Sequence, residues 1–92
     1  MDIKARRKIV ADHFNNREAV KDLLEGMGID VMRSYHFKLR DEKTPSAFIN
    51  TNGSIKDFGS GESYSDVVAL LFDGYSAFSS VVDALSWCES KI

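Results

Sequence analysis

The chain has one cysteine, Cys88, and one proline, Pro45, among its 92 residues. A single thiol excludes an internal disulfide framework and offers no spacing for a cysteine-based metal site. With no cysteine pair and no signal-like N-terminus, the expected compartment is a reducing cytoplasm. No apolar run is long enough to cross a bilayer, so no membrane partner is expected. Basic charge is also scarce: twelve Lys and Arg stand against fourteen Asp and Glu, a net charge of −2. That balance excludes a uniformly basic nucleic-acid clamp. A catalytic constellation is lacking as well. Asp41 and Glu42 are adjacent in a turn, where side chains seldom converge, so no catalytic residue and no enzymatic activity are expected.

What is present is an ordinary globular composition, 43% hydrophobic and 28% charged. The length fits one domain over residues 1–92, with a core too modest to be stable without good packing. Charge is unevenly spread. Residues 1–10 carry +3, 11–30 carry −3, 31–56 carry +3 and 57–92 carry −5. A basic middle segment on an acidic body is able to meet phosphate, although charge alone reads more readily as a solvated surface.

The hydropathy pattern divides the chain further. Ile3, Val10, Ala11 and Phe14 define an amphipathic helix over 3–14. Asn15 with Glu18 predicts the start of a second helix, with Val20, Leu23, Leu24 and Met27 as its buried stripe and Gly26 and Gly28 at its C-terminus. Alternation over 29–39 predicts a strand, with Val31, Arg33, Tyr35, Phe37 and Leu39 on one face. A polar loop over 41–46 leads to a strand at 47–50. Asn52-Gly53 then signals a hairpin to a partner strand at 55–58, and Gly59-Ser60-Gly61 permits a tight turn. Ser65-Asp66 predicts the cap of a helix ending at Gly74, and Ser76 that of a last helix with Phe78, Val81, Val82, Leu85 and Trp87 inside. The expected fold is α+β: a small three-stranded antiparallel sheet flanked by helices, in the order α-α-β-β-β-α-α.

The loop Asp41-Glu42-Lys43-Thr44-Pro45-Ser46 is followed by the knuckle Asp57-Phe58-Gly59-Ser60-Gly61 and then by Asp66-Val67-Val68. In sequence and spacing these resemble the zinc-ribbon domain of bacterial-type DNA primases. Leu23, Leu24, Gly28 and Ile29 resemble its leading helix and turn, and Phe78 with the stretch 82–85 its closing helix, so the likeness spans residues 18–86. The four zinc positions of that family fall on Phe37, Arg40, Asp57 and Ser60, and none keeps the family's ligand. Zinc needs about four Cys, His or carboxylate donors, and neither His36 nor His13 restores the set. The resemblance therefore implies a ribbon that has lost its metal and holds no cofactor. Convergence of the former ligand positions implies an Arg40–Asp57 salt bridge, with Ser60 hydrogen-bonding nearby and Phe37 filling apolar space.

In the family the ribbon helps to recognise single-stranded template, and a separate domain makes primers. By position the resemblance assigns DNA contact to Lys43, Ser46, Phe48, Lys56 and Phe58; Lys38 joins them by charge. Aromatic faces interleaved with cations suit single strands. Each residue also has a plain structural reading. Phe48 and Phe58 are core candidates, Thr44-Pro45-Ser46 shapes a turn, and Lys43 is a solvated lysine. Lys4, Arg6, Arg7 and Lys8 form a solvated helix face, and Cys88 is inert. Two functions stand. One is a non-catalytic nucleic-acid-binding accessory of DNA replication, of the kind a mobile element carries, with single-stranded DNA as partner. The other is a protein-interaction module that mimics a primase domain and binds or inhibits a replication or defence protein. The family's role favours the first; the net acidity favours the second.

Overall fold

Two helices open the chain because each begins at its own capping side chain. In a computed structural model that describes residues 2–39 and 45–92, helix α1 (Ile3–His13) is capped by Asp2, which accepts from the Ala5 N–H at 2.7 Å. Helix α2 (Arg17–Gly26) is capped by Asn16, which accepts from the Ala19 N–H at 2.9 Å. The start thus falls one residue beyond the expected Asn15: Asn16 has the extended backbone of a cap (φ −143°, ψ 155°) and a side chain that reaches the orphan donor. The end of α2 is a Schellman turn. Gly28 sits at φ +88°, its N–H donates to Glu25 O, and the Ile29 N–H donates to Leu24 O at 3.1 Å.

The sheet has four antiparallel strands in sequential order, not the expected three: β1 (His36–Phe37), β2 (Ala47–Ile49), β3 (Ile55–Asp57) and β4 (Ser63–Tyr64). The fold is α+β, but the expected long strand over 29–39 contracts to His36–Phe37. Its alternation conceals a turn. The Tyr35 N–H donates to Met32 O and the Met32 N–H to His36 O, and Val31 bridges back to Phe37. Tyr35 lies at φ +65°, which a continuous strand does not allow. The extra strand β4 forms because the knuckle after β3 closes tightly enough to bring Tyr64 opposite Ile55.

The β2–β3 hairpin has a three-residue loop, Thr51-Asn52-Gly53. The Gly53 N–H donates to Asn50 O, the Asn50 N–H donates to Ser54 O, and Gly53 takes φ +87°, the left-handed bulge position of such loops. A Cβ at Gly53 would lie 2.3 Å from the Phe14 carbonyl oxygen, so the hairpin tip is seated on the α1–α2 junction.

Helix α3 (Val67–Ala69) is capped by Asp66 and widens into a π-turn over Leu70–Gly74, closed by the Tyr75 N–H on Leu70 O at 3.0 Å. Helix α4 (Val81–Glu89) starts at Ser80, whose hydroxyl accepts from the Asp83 N–H. The expected start at Ser76 fails because Ser76 is left-handed, at φ +52°, and cannot lead a right-handed helix.

One face of the sheet is buried through Phe37, Ala47, Ile49, Ile55 and Asp57. Phe37 stacks on Tyr75 with ring centroids 6.4 Å apart, and Gly74 lies against Tyr64 and Leu39. These contacts bring the α3 segment under the sheet, and one core joins both to Val10, Val20, Leu24 and Leu85 of the other helices. Arg6 pairs with Glu89 at 2.6 Å and Arg7 with Asp66 at 3.2 Å, fastening α1 to α4 and to the α3 cap. Among the described residues no helix is long and apolar enough to cross a membrane. Arg40, Lys43 and the rest of the 40–44 stretch lie outside the described residues, and with them the Arg40–Asp57 pair and the Lys43 contact.

Candidate nucleic-acid interface

Strand alternation decides which side chains are left on the open face. The register aligns His36 with Phe48, Phe48 with Lys56 and Lys56 with Ser63 in one row across all four strands. Their neighbours Phe37, Ala47, Ile55 and Asp57 turn into the core. The outward row therefore holds an imidazole, a phenyl ring, an ammonium and a hydroxyl, with no acid among them.

Phe48 is half-buried on this face. The His36 ring lies 4.9 Å from its centroid and the Arg17 guanidinium carbon 5.4 Å above it. Phe58 is 65% exposed, yet its backbone is fixed: its N–H donates to Ser46 O at 2.9 Å. It thus presents a ring on a rigid turn rather than serving the core. Lys56 extends along that turn and donates from Nζ to Gly61 O at 2.8 Å. Beside it runs a groove of about 470 Å³ whose polar lining includes Asn50, Ser54, Ser63 and Ser65. Lys38 is exposed at the end of β1, and its carbonyl accepts from the Tyr75 hydroxyl at 3.0 Å. Burial holds that phenol well above its ordinary pKa, so it stays a donor.

Ser46 has a different neighbour. Its hydroxyl donates to Asp57 Oδ1 at 3.1 Å, so it belongs to the knuckle's framework. Asp57 is fully buried. Its carboxylate also accepts from the Gly59 N–H at 3.0 Å and the Ser60 hydroxyl at 2.8 Å, while its backbone accepts from the Gly61 N–H. One buried acid thereby closes the Asp57–Gly61 turn from within, and hydrogen bonds offset its desolvation. Zinc does not fit the positions that the family resemblance assigns to it. Phe37 offers no donor atom and is stacked in the core, and the lone pairs of Asp57 are already engaged. Among the described residues no three His, Cys, Asp or Glu side chains gather.

Several groups outside the expected set complete the face. Arg17 lies 4.4 Å over the Tyr35 ring, and Lys21 Nζ is 5.8 Å from the same ring. The Tyr35 hydroxyl donates to Glu18, which raises the phenol's pKa. The signal for these residues was present: Arg17 and Lys21 are four apart, on one face of α2. Tyr35 shares one parity with Phe37 and Leu39 in the alternation over 29–39, so the sequence pattern does not set it apart from them.

Three of the four basic side chains of α1 are committed elsewhere. Arg6 takes Glu89, Arg7 takes Asp66 and Lys8 takes Asp12. The same pairs neutralise two of the six acids of residues 57–92, and Asp57 is buried, so the −5 of that segment overstates its field. Cys88 is fully buried, and burial, with Asp66 and Glu89 nearby, pushes its thiol up to about 12. Compared with protein-family models, with curated proteins and with solved structures, the chain matches none of them.

Proposed function

We propose that the chain is a non-catalytic nucleic-acid-binding module whose open sheet face takes single-stranded DNA. The observation that carries this reading is the outward row His36–Phe48–Lys56–Ser63, flanked by the exposed Phe58 ring and by Lys38, Arg17 and Lys21. Bases stack on aromatic faces without regard to sequence, and cations track the backbone between them. The resemblance of Asp41–Ser46 and Asp57–Gly61 to primase zinc ribbons supports the same role, since those domains help to read template. In this reading the Asp57 hydrogen-bond set does the work of the family's metal and holds Phe58 outward. The internal pairing of Arg6 and Arg7 with acids weakens the argument from net acidity for a protein partner.

Fluorescence anisotropy with labelled oligothymidylate tests the proposal. Salt-sensitive binding is expected, weakened about tenfold or more by Phe58→Ala, on the scale of one lost base stack. Lys38→Gln and Lys56→Gln each make the salt dependence shallower. An oligonucleotide that fails to bind even at low ionic strength would transfer this face to a protein partner.

A further inference from the structure

We infer that Arg17, laid over the rings of Tyr35 and Phe48, is a phosphate-binding centre that grips the backbone of a bound single strand. The inference deepens the nucleic-acid reading and rests on it. A guanidinium carries five N–H donors in a planar fork. No described residue accepts a hydrogen bond from Arg17 or pairs with its charge, and its Nε is shut off from solvent without a partner. Nε itself lies out of a ligand's reach, so the two Nη groups, which are neither buried nor hydrogen-bonded, are the donors that a ligand oxygen meets.

Among the described residues the acid nearest in sequence is already engaged. Glu18 is next in sequence, but its carboxylate takes the Tyr35 hydroxyl. That bond also steadies Tyr35, which sits at φ +65°, a region rarely used by a bulky residue. The result is a ring held 4.4 Å beneath the guanidinium carbon, an arrangement that orients the fork. Lys21, one turn along α2, adds a second cation 5.8 Å from the Tyr35 ring. The His36 ring also packs against Phe48, with centroids 4.9 Å apart.

An oriented fork matches two oxygens of a phosphate or of a carboxylate. Continuity with the sheet decides for phosphate. Phe48, the second ring under Arg17, stands directly opposite Lys56 in the β2–β3 register. A strand stacked along the outward row therefore passes its backbone over Arg17.

The test follows the Arg17 Nε–Hε resonance of the ¹⁵N-labelled full chain during titration with oligothymidylate. Anisotropy on the wild type and on Arg17→Gln, Arg17→Lys and Lys56→Gln accompanies it, between about 50 and 200 mM salt. The resonance is expected to move on binding. Arg17→Gln is expected to bind about tenfold more weakly, with a slope of log K against log salt shallower by about 0.7, as for one lost phosphate contact. Arg17→Lys restores the slope but not the full affinity, because the fork is lost. A static Arg17 resonance at saturation overturns the site even if a variant misfolds. Wild-type binding by Arg17→Gln, alongside weakened Lys56→Gln, overturns the site and leaves the nucleic-acid reading intact. If the wild type binds no oligothymidylate, or if only a poly-glutamate peptide moves the resonance, both readings fall.

Discussion

Gly53 and Gly61 share a left-handed backbone and differ in what surrounds them. Gly53 lies at φ +87° and Gly61 at φ +82°. A Cβ at Gly53 would meet the Phe14 carbonyl oxygen at 2.3 Å, whereas at Gly61 it meets nothing within 4 Å. Gly61→Ala therefore carries only the conformational cost of about 1 kcal/mol. Gly53→Ala adds a backbone collision that neither the hairpin nor the α1–α2 junction relieves by rotating a side chain, and it should cost about 3 kcal/mol. Urea denaturation followed by Trp87 fluorescence measures both; equal losses would refute the docking of the hairpin tip. Asp57 is the other sensitive residue. Asp57→Ala removes a buried acceptor of three hydrogen bonds, from the Ser46 and Ser60 hydroxyls and the Gly59 N–H, and about 3 kcal/mol should be lost. The same melt decides it, and a near-neutral result would mean that the buried carboxylate does not organise the knuckle. Both positions were legible in part. Asn52-Gly53 announced a hairpin, and Asp57 was singled out as a former ligand position. Neither the contact with Phe14 nor the Ser46 bond was readable, because each joins segments far apart in sequence.

The elements were legible where a local signal fixed them. Helix α2 follows from its apolar spacing and from Gly28, and α3 from Asp66. Segments whose pattern fitted two structures were misread. Alternation over 29–39 is equally the pattern of a small hairpin, and only the left-handed Tyr35 separates the two. Ser76, Ser79 and Ser80 are all residue types that cap helices, and Ser80 is the one with an extended backbone and a hydroxyl on the Asp83 N–H. Helix α4 also carries two titrating groups with opposite consequences. The Arg6 hydrogen bond lowers the Glu89 pKa from 4.5, so this pair's contribution is present above pH 4.5 and is lost as pH falls through the lower folded value. Arg6→Met should flatten the fall in stability below pH 4.5, as read by denaturation over a pH series. Cys88 acts in reverse. Its thiol is raised from 9.0 to about 12 by burial, so its contribution is full below pH 9 and is lost as pH rises toward 12. At neutral pH a disulfide reagent should label Cys88 only as fast as α4 opens, and labelling at the rate of a free thiol would contradict that burial.

At the scale of the molecule, the proposed reading as a metal-free ribbon requires that something other than a cation hold a chain of this size together. A structural zinc contributes on the order of 10 kcal/mol to a small domain, comparable to the whole stability of a typical fold. In the proposed reading, packing of the helices takes that role. Val10, Leu24, Phe37, Ile49, Ile55, Leu70, Leu71 and Leu85 are all buried in one core, each worth about 1.5–3 kcal/mol against exposure. The Asp57 network contributes geometry more than net stability, since desolvation of a buried charge cancels much of its attraction. The two contributions predict different responses. If packing carries the fold, a strong chelator leaves the urea midpoint and the Trp87 emission unchanged, while Leu24→Ala lowers stability by about 2–5 kcal/mol. If a cation still carries it, the purified protein holds zinc in stoichiometric amount and the chelator alone abolishes the transition. The fate of the open face follows from the same experiment, because Phe58 is held outward by whatever closes the turn from Asp57 to Gly61. Oligothymidylate affinity should therefore survive chelation and fall with Asp57→Ala.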